Sequence, residues 1–77
     1  MPINFDTVKR IYVGRDNCCR CGCHGSYHEE GSRGFKMALS RARKVIESSE
    51  SAIEEHCAEY ANVITGKDRA ITLYFTN

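Results

Sequence analysis

Between Asn17 and Gly34 the chain has neither helical nor strand periodicity, and glycine recurs at Gly22, Gly25, Gly31 and Gly34. Such a stretch reads as a structured loop rather than an element, and one this long in a small domain is functional or braced from within. In a chain of 77 residues, it leaves the core to the segments on either side. The whole chain, residues 1–77, reads as a single domain. It is near the size at which apolar burial needs help from a metal, disulfides or association of copies, so a homo-oligomer is expected.

Before the loop, Val8-Lys9-Arg10-Ile11-Tyr12-Val13 is β-branched and aromatic and stops at the turn formers Gly14-Arg15-Asp16-Asn17, which predicts a strand. After it, Phe35, Ala38, Leu39, Ala42, Val45 and Ile46 fall at helical spacing, while Lys36, Arg41, Arg43 and Lys44 lie mostly on other faces. That predicts an amphipathic helix with a basic outer face. The phase resumes at Ala52, Ile53, Cys57 and Tyr60, and Ser51-Ala52-Ile53-Glu54 fits a capping box. Residues 35–60 therefore read either as one long helix or as two short ones broken at Ser48-Ser49-Glu50-Ser51. A single helix of about 25 residues would be about 37 Å long, more than a lone small sheet can cover, which favours the break or an overhang packed on another subunit. Asn62-Val63-Ile64-Thr65 and Ala70 to Thr76, joined by Gly66-Lys67-Asp68-Arg69, predict a β-hairpin. The expected fold is α+β. A small three-stranded antiparallel sheet packs against one long or two short helices in the order β-α-α-β-β, with a cysteine- and glycine-rich loop after the first strand.

No run of eighteen apolar residues exists, and the N-terminus lacks the charged start and apolar core of a secretory signal, so a cytoplasmic protein with no membrane partner is expected. Five cysteines in that setting argue against a disulfide framework and leave metal binding or plain packing. The net charge of +1 conceals an asymmetry: residues 1–44 carry nine Lys/Arg against four Asp/Glu, and residues 45–77 carry two against six. A basic first half favours an anionic ligand or head-to-tail contact between subunits, although solvated surface charge accounts for much of such a pattern.

Cys18-Cys19-Arg20-Cys21-Gly22-Cys23-His24-Gly25-Ser26-Tyr27-His28 packs four thiols and two imidazoles into one short segment. Cys18 and Cys21 have the gap of a metal knuckle, and His24 and His28 have a gap also used for zinc, giving Cys18, Cys21, Cys23 and His28 as a candidate zinc set. All of these lie in one loop, whereas structural zinc usually ties distant segments, and only His56 and Cys57 could serve as remote ligands. The competing reading makes Cys19, Cys21 and Cys23 small buried hydrophobes. His56 and Cys57 read most simply as partly buried helix residues. A thiolate beside His24 has the residue types of a nucleophilic pair, but adjacency in sequence does not make one, and no enzyme is expected.

The same loop can hold an anion. Its glycines let backbone amides turn toward one point, Arg15, Arg20 and Arg33 bring guanidinium groups, and Gly34 precedes a helix N-terminus. Neither the P-loop nor the dinucleotide fingerprint is present. The tyrosines Tyr12, Tyr27, Tyr60 and Tyr74 could stack on a base or simply pack in strands.

The run Ile11 to Cys23, IYVGRDNCCRCGC, followed by Tyr27 and by Gly34-Phe35 leading into Ala38-Leu39 and Arg41-Ala42, resembles small uncharacterised proteins of bacteriophages and mobile elements. Thr65-Gly66-Lys67 and Ile71-Thr72-Leu73-Tyr74-Phe75 are similar too. The resemblance implies a host-cell protein that antagonises host defence. One expectation is a non-enzymatic protein that sequesters an anionic nucleotide immune signal, of cyclic dinucleotide or ADP-ribose type. Arg15, Arg20, Arg33 and Lys36 would face its phosphates and Tyr27 its base. Alternatives are a protein-binding inhibitor of a host defence complex such as a CRISPR effector, with Glu47, Glu50, Glu54, Glu55 and Glu59 imitating phosphates, and a small zinc-binding nucleic-acid-binding module.

Overall fold

A computed structural model describes residues 3–16 and 24–76. After a 3-10 turn at Phe5–Thr7 come strands β1 (Arg10–Arg15) and β2 (Gly25–Glu29), helix α1 (Arg33–Ser48) and a second 3-10 turn at Glu50–Ala52. Strands β3 (Ile53–His56), β4 (Tyr60–Gly66) and β5 (Arg69–Tyr74) follow. The five strands form one sheet in the order β2-β1-β5-β4-β3, with every neighbouring pair antiparallel. The expected three-stranded β-α-α-β-β arrangement is thus corrected to a five-stranded sheet with a single helix. Among the described residues no helix is long and apolar enough to cross a membrane.

Two elements account for the difference. Gly25-Ser26-Tyr27-His28-Glu29 reads as loop because glycine and polar residues hide its alternation, yet it pairs with β1 in unbroken register from Gly14↔Gly25 to Arg10↔Glu29. Gly25 serves that pairing through its lack of a side chain. A Cβ there would run into the Val13 carbonyl oxygen and come within 2.6 Å of the Tyr12 hydroxyl. The second element is β3. A helix over 51–60 would have only Ala52, Ile53, Cys57 and Tyr60 to bury and would leave the outer edge of β4 unpaired. As a strand, Ile53–His56 satisfies that edge, with a bulge between Ile53 and Glu55. His56 and Cys57 are consequently exposed, on and just after an edge strand rather than partly buried on a helix.

The helix starts where Ser32 caps it: its Oγ accepts from the Phe35 N–H at 3.2 Å and donates to the Glu29 carbonyl at 2.8 Å. It stops at the polar run Ser48-Ser49-Glu50-Ser51, where Ser49 is extended and its hydroxyl bonds that of Ser51 at 2.7 Å. The β4–β5 hairpin lies where its alternation predicts. Its turn places Asp68 at φ 58, a left-handed conformation that Asp tolerates, and the Asp68 carbonyl accepts from the Asp16 N–H at 3.0 Å.

The two sheet faces are covered differently. Phe35, Ala38 and Ala42 of α1 lie on the face formed by Ile11, Ala61, Val63, Ile71 and Leu73, joined by Val8 and Ile3 from the N-terminal segment. Full burial of a side chain of the Leu, Ile or Val class stabilises by about 1.5–3 kcal/mol. On the opposite face the register places all four tyrosines with Arg10, Asn62 and Thr72. Tyr12 is fully buried there, lying along the sheet over Gly14 and Gly25, either of which would bring a Cβ within 2.6 Å of its hydroxyl. The Tyr27 ring is 4.9 Å from that of Tyr12, Tyr74 is 6.2 Å from Tyr27, and Tyr60 is 6.3 Å from Tyr74. Beneath this layer Thr72 Oγ1 donates to Asn62 Oδ1 at 3.0 Å, and both residues are buried.

Candidate functional site: a basic groove beside the helix

Helix α1 leaves part of its own sheet face open. There Val13 and Ile71 form a floor, Met37, Ala38 and Arg41 form the helix wall, and His28 and Gly34 close one end of a groove of about 270 Å3. Val13 and Ile71 are register partners on adjacent strands, so the floor is one cross-strand pair. His28 stands beside them because it pairs with Ile11, and its Nε2 is 3.1 Å from Ser26 Oγ. One step beyond Val13 and Ile71 on the same face, Arg15 and Arg69 pair across the strands, both exposed.

The helix wall continues outward as a cationic ridge. Arg33, Lys36, Met37, Ser40, Arg41 and Lys44 share one side at spacings of three and four, all are exposed, and the helix carries no acid before Glu47. Lys36, Met37, Ser40, Arg41 and Lys44 line a broader shallow depression that shares Met37 and Arg41 with the groove. Met37, at 65% exposure, is the one large exposed hydrophobic among the described residues and sits amid these cations. Arg43 belongs to the other flank, with its guanidinium carbon 4.9 Å from the centre of the Phe5 ring. Acids gather elsewhere: Glu47, Glu50, Glu54, Glu55 and Glu59 are exposed at and beyond the helix C-terminus and along β3.

Of the residues expected to form a ligand site, the described ones, Arg15, Tyr27, Arg33 and Lys36, are not brought to one place. Arg33 and Lys36 begin α1, just after the Glu29 end of β2, whereas Arg15 is at the opposite end of β1, about 17 Å away along an extended strand. Tyr27 is on the far face of the sheet, with the Arg10 guanidinium 4.2 Å from its ring centre. Arg10 Nε is in turn 3.0 Å from Glu29 Oε2, a charge contact without hydrogen-bond alignment at the surface. Arg20, Cys18, Cys21 and Cys23 fall outside the described residues, and of the candidate zinc set only His28 is described, beside Ser26. Among the described residues no three His, Cys, Asp or Glu side chains cluster as metal ligands would.

Val13, Met37, Arg41 and Ile71 were not singled out by sequence. The helical period places Arg41 and Met37 off the apolar stripe, and an exposed methionine between basic residues is the one signal that marked the wall. The floor carries none: Val13 and Ile71 look like ordinary strand residues, and of the two only Val13 is left half-buried while Ile71 stays buried. Comparison with protein-family models, curated proteins and solved structures gives no significant match.

Proposed function

We propose that this chain is a non-enzymatic binding protein that holds an anionic nucleotide in the groove between α1 and the Val13–Ile71 pair. The observation that carries the reading is the juxtaposition of an apolar floor with a cationic wall: Val13, Ala38 and Ile71 beside Arg41, with Lys36 and Lys44 continuing the ridge. A base or sugar would lie against Val13 and Met37, above the buried Ala38 and Ile71, and a phosphate would take the guanidinium of Arg41. Together with the resemblance to phage proteins, this favours a host-defence antagonist that sequesters a nucleotide signal of cyclic dinucleotide or ADP-ribose type. In this reading Arg41 is the anion contact in the groove, with Lys36 beside it on the same helix face.

Calorimetric titration of cyclic dinucleotides and ADP-ribose against the wild type and Arg41→Glu tests the reading. Binding should be weakened by about tenfold or more in the variant, equivalent to about 1.4 kcal/mol or more, and the ligand should be recovered chemically intact. Failure of every nucleotide to bind the wild type would remove the proposal.

The exposed acids along and around β3 favour one second reading, a protein-binding inhibitor whose glutamates meet a basic surface of a host complex. Pull-down from host lysate separates the two. That reading requires a stable protein partner lost in a Glu54→Lys, Glu55→Lys variant, and nucleotide sequestration requires none.

A further inference from the structure

Helix α1 turns a charged face away from the sheet. Arg33, Lys36, Arg41 and Lys44 are all exposed there, and among the described residues none of them has an ion pair. The first turn holds no acid, and the ridge ends at exposed Glu47, one turn beyond Lys44. Arg33 and Lys44 mark the two ends of the ridge, while Lys36 and Arg41 flank a centre made of Met37 and Ser40. The exposed Met37 therefore sits inside a frame of four positive charges, and with Lys36, Ser40, Arg41 and Lys44 it lines a depression of about 460 Å3. Arg33 and Lys36, and again Arg41 and Lys44, are like-charged neighbours about one turn apart, an arrangement that costs helix stability and that a bound anion relieves.

Spacing and the apolar centre point to which anion. Along the helix axis the four cations are about 5.5 Å apart on average, wider than the phosphate repeat of about 3.4 Å in a stacked strand. A duplex hides its base faces, whereas an unstacked single strand frees them to lie on apolar side chains between cations. Met37 and, past Arg41, half-buried Val13 offer such contacts. A lone phosphate meets one or two of these cations and leaves the others unrelieved. Given the groove as a nucleotide seat, on which this rests, we infer that α1 holds the sugar-phosphate chain of a linear single-stranded nucleic acid. One nucleotide occupies the groove beside Arg41, and neighbouring phosphates lie on Arg33, Lys36 and Lys44. The exposed acids from Glu47 onward repel the strand and confine it to the ridge.

Fluorescence anisotropy of end-labelled hexaadenylate, with AMP as unlabelled competitor, tests this on the wild-type chain. Hexaadenylate should bind at least about tenfold more tightly than AMP at low salt, equivalent to about 1.4 kcal/mol. Its affinity should fall with salt at a logarithmic slope of about −2.8, the value for four neutralised phosphates of a single strand. Lys36→Gln combined with Lys44→Gln, both at exposed positions, should halve that slope to about −1.4. Hexaadenylate that binds no more tightly than AMP overturns the strand and leaves the groove reading standing, whereas failure of AMP and hexaadenylate alike removes both. A slope unchanged in the double variant, or tighter binding to phosphatidylserine vesicles than to hexaadenylate, also overturns the strand.

Discussion

Among the described residues one face of the sheet is packed by a helix and the other carries a row of tyrosines, and the contrast shows two ways in which a short chain buries the faces of a sheet. On the helix side, aliphatic strand residues meet Phe35 and two alanines, a conventional apolar layer. Among the described residues no second helix lies on the other side. The sheet instead lays Tyr12 flat over Gly14 and Gly25, sets Tyr27, Tyr74 and Tyr60 in a row beside it, and buries the Thr72–Asn62 hydrogen bond beneath. Aromatic side chains bring large area with few rotatable bonds, and their hydroxyls can remain at the water boundary. The helix-covered face, being incompletely covered, keeps a groove; on the tyrosine face Tyr12, Asn62 and Thr72 are buried.

If the tyrosine layer is a core layer in its own right, Tyr12→Ala should cost as much as truncation on the helix side. Urea denaturation should show losses of about 3–5 kcal/mol for Tyr12→Ala and about 2–5 kcal/mol for Leu73→Ala. A loss for Tyr12→Ala below that of an ordinary surface substitution would break the comparison. The glycines sharpen it. Gly14→Ala and Gly25→Ala should each destabilise by about 1–3 kcal/mol through overpacking. In a Tyr12→Ala background the cost at Gly14 should largely vanish, because the Tyr12 ring makes the nearest contacts there. The cost at Gly25 should persist, because the Val13 carbonyl also blocks it.

The extent to which these features were legible in the sequence follows the same division. The strand at Ile11-Tyr12-Val13, the helical stripe from Phe35 to Ile46 and the closing hairpin carry periodicity, and each forms where its period places it. β2 and β3 carry almost none: Gly25 to Glu29 is masked by residues that favour loops, and Ile53 to His56 continues a helical phase by coincidence. Both are strands because a neighbouring strand offers an edge, a non-local fact that composition does not record. The candidate site was legible as a basic helix face but not as a groove, since its floor depends on how far α1 covers the sheet.

Smaller effects probe the tyrosine side further. Asn62→Ala should cost about 1–3 kcal/mol by removing the buried hydrogen bond from Thr72 Oγ1 to Asn62 Oδ1, and Asn62→Leu combined with Thr72→Val should cost less than that single change. Thermal denaturation of the three proteins measures the difference. The smallest change is expected at Arg10→Ala, where the surface contact with Glu29 contributes about 0–1 kcal/mol and the stacking on Tyr27 about 0.5–1 kcal/mol.

The central claim is that the incompletely covered face, and not the tyrosine face, is where this protein meets its ligand. Nuclear magnetic resonance mapping of a nucleotide titration on the isotope-labelled protein tests it most directly. The account predicts concentration-dependent shifts at Val13, His28, Gly34, Met37, Arg41 and Ile71, with Tyr27, Tyr60 and Tyr74 unmoved. Shifts confined to the tyrosines and Arg10, or none at saturating nucleotide, would contradict it.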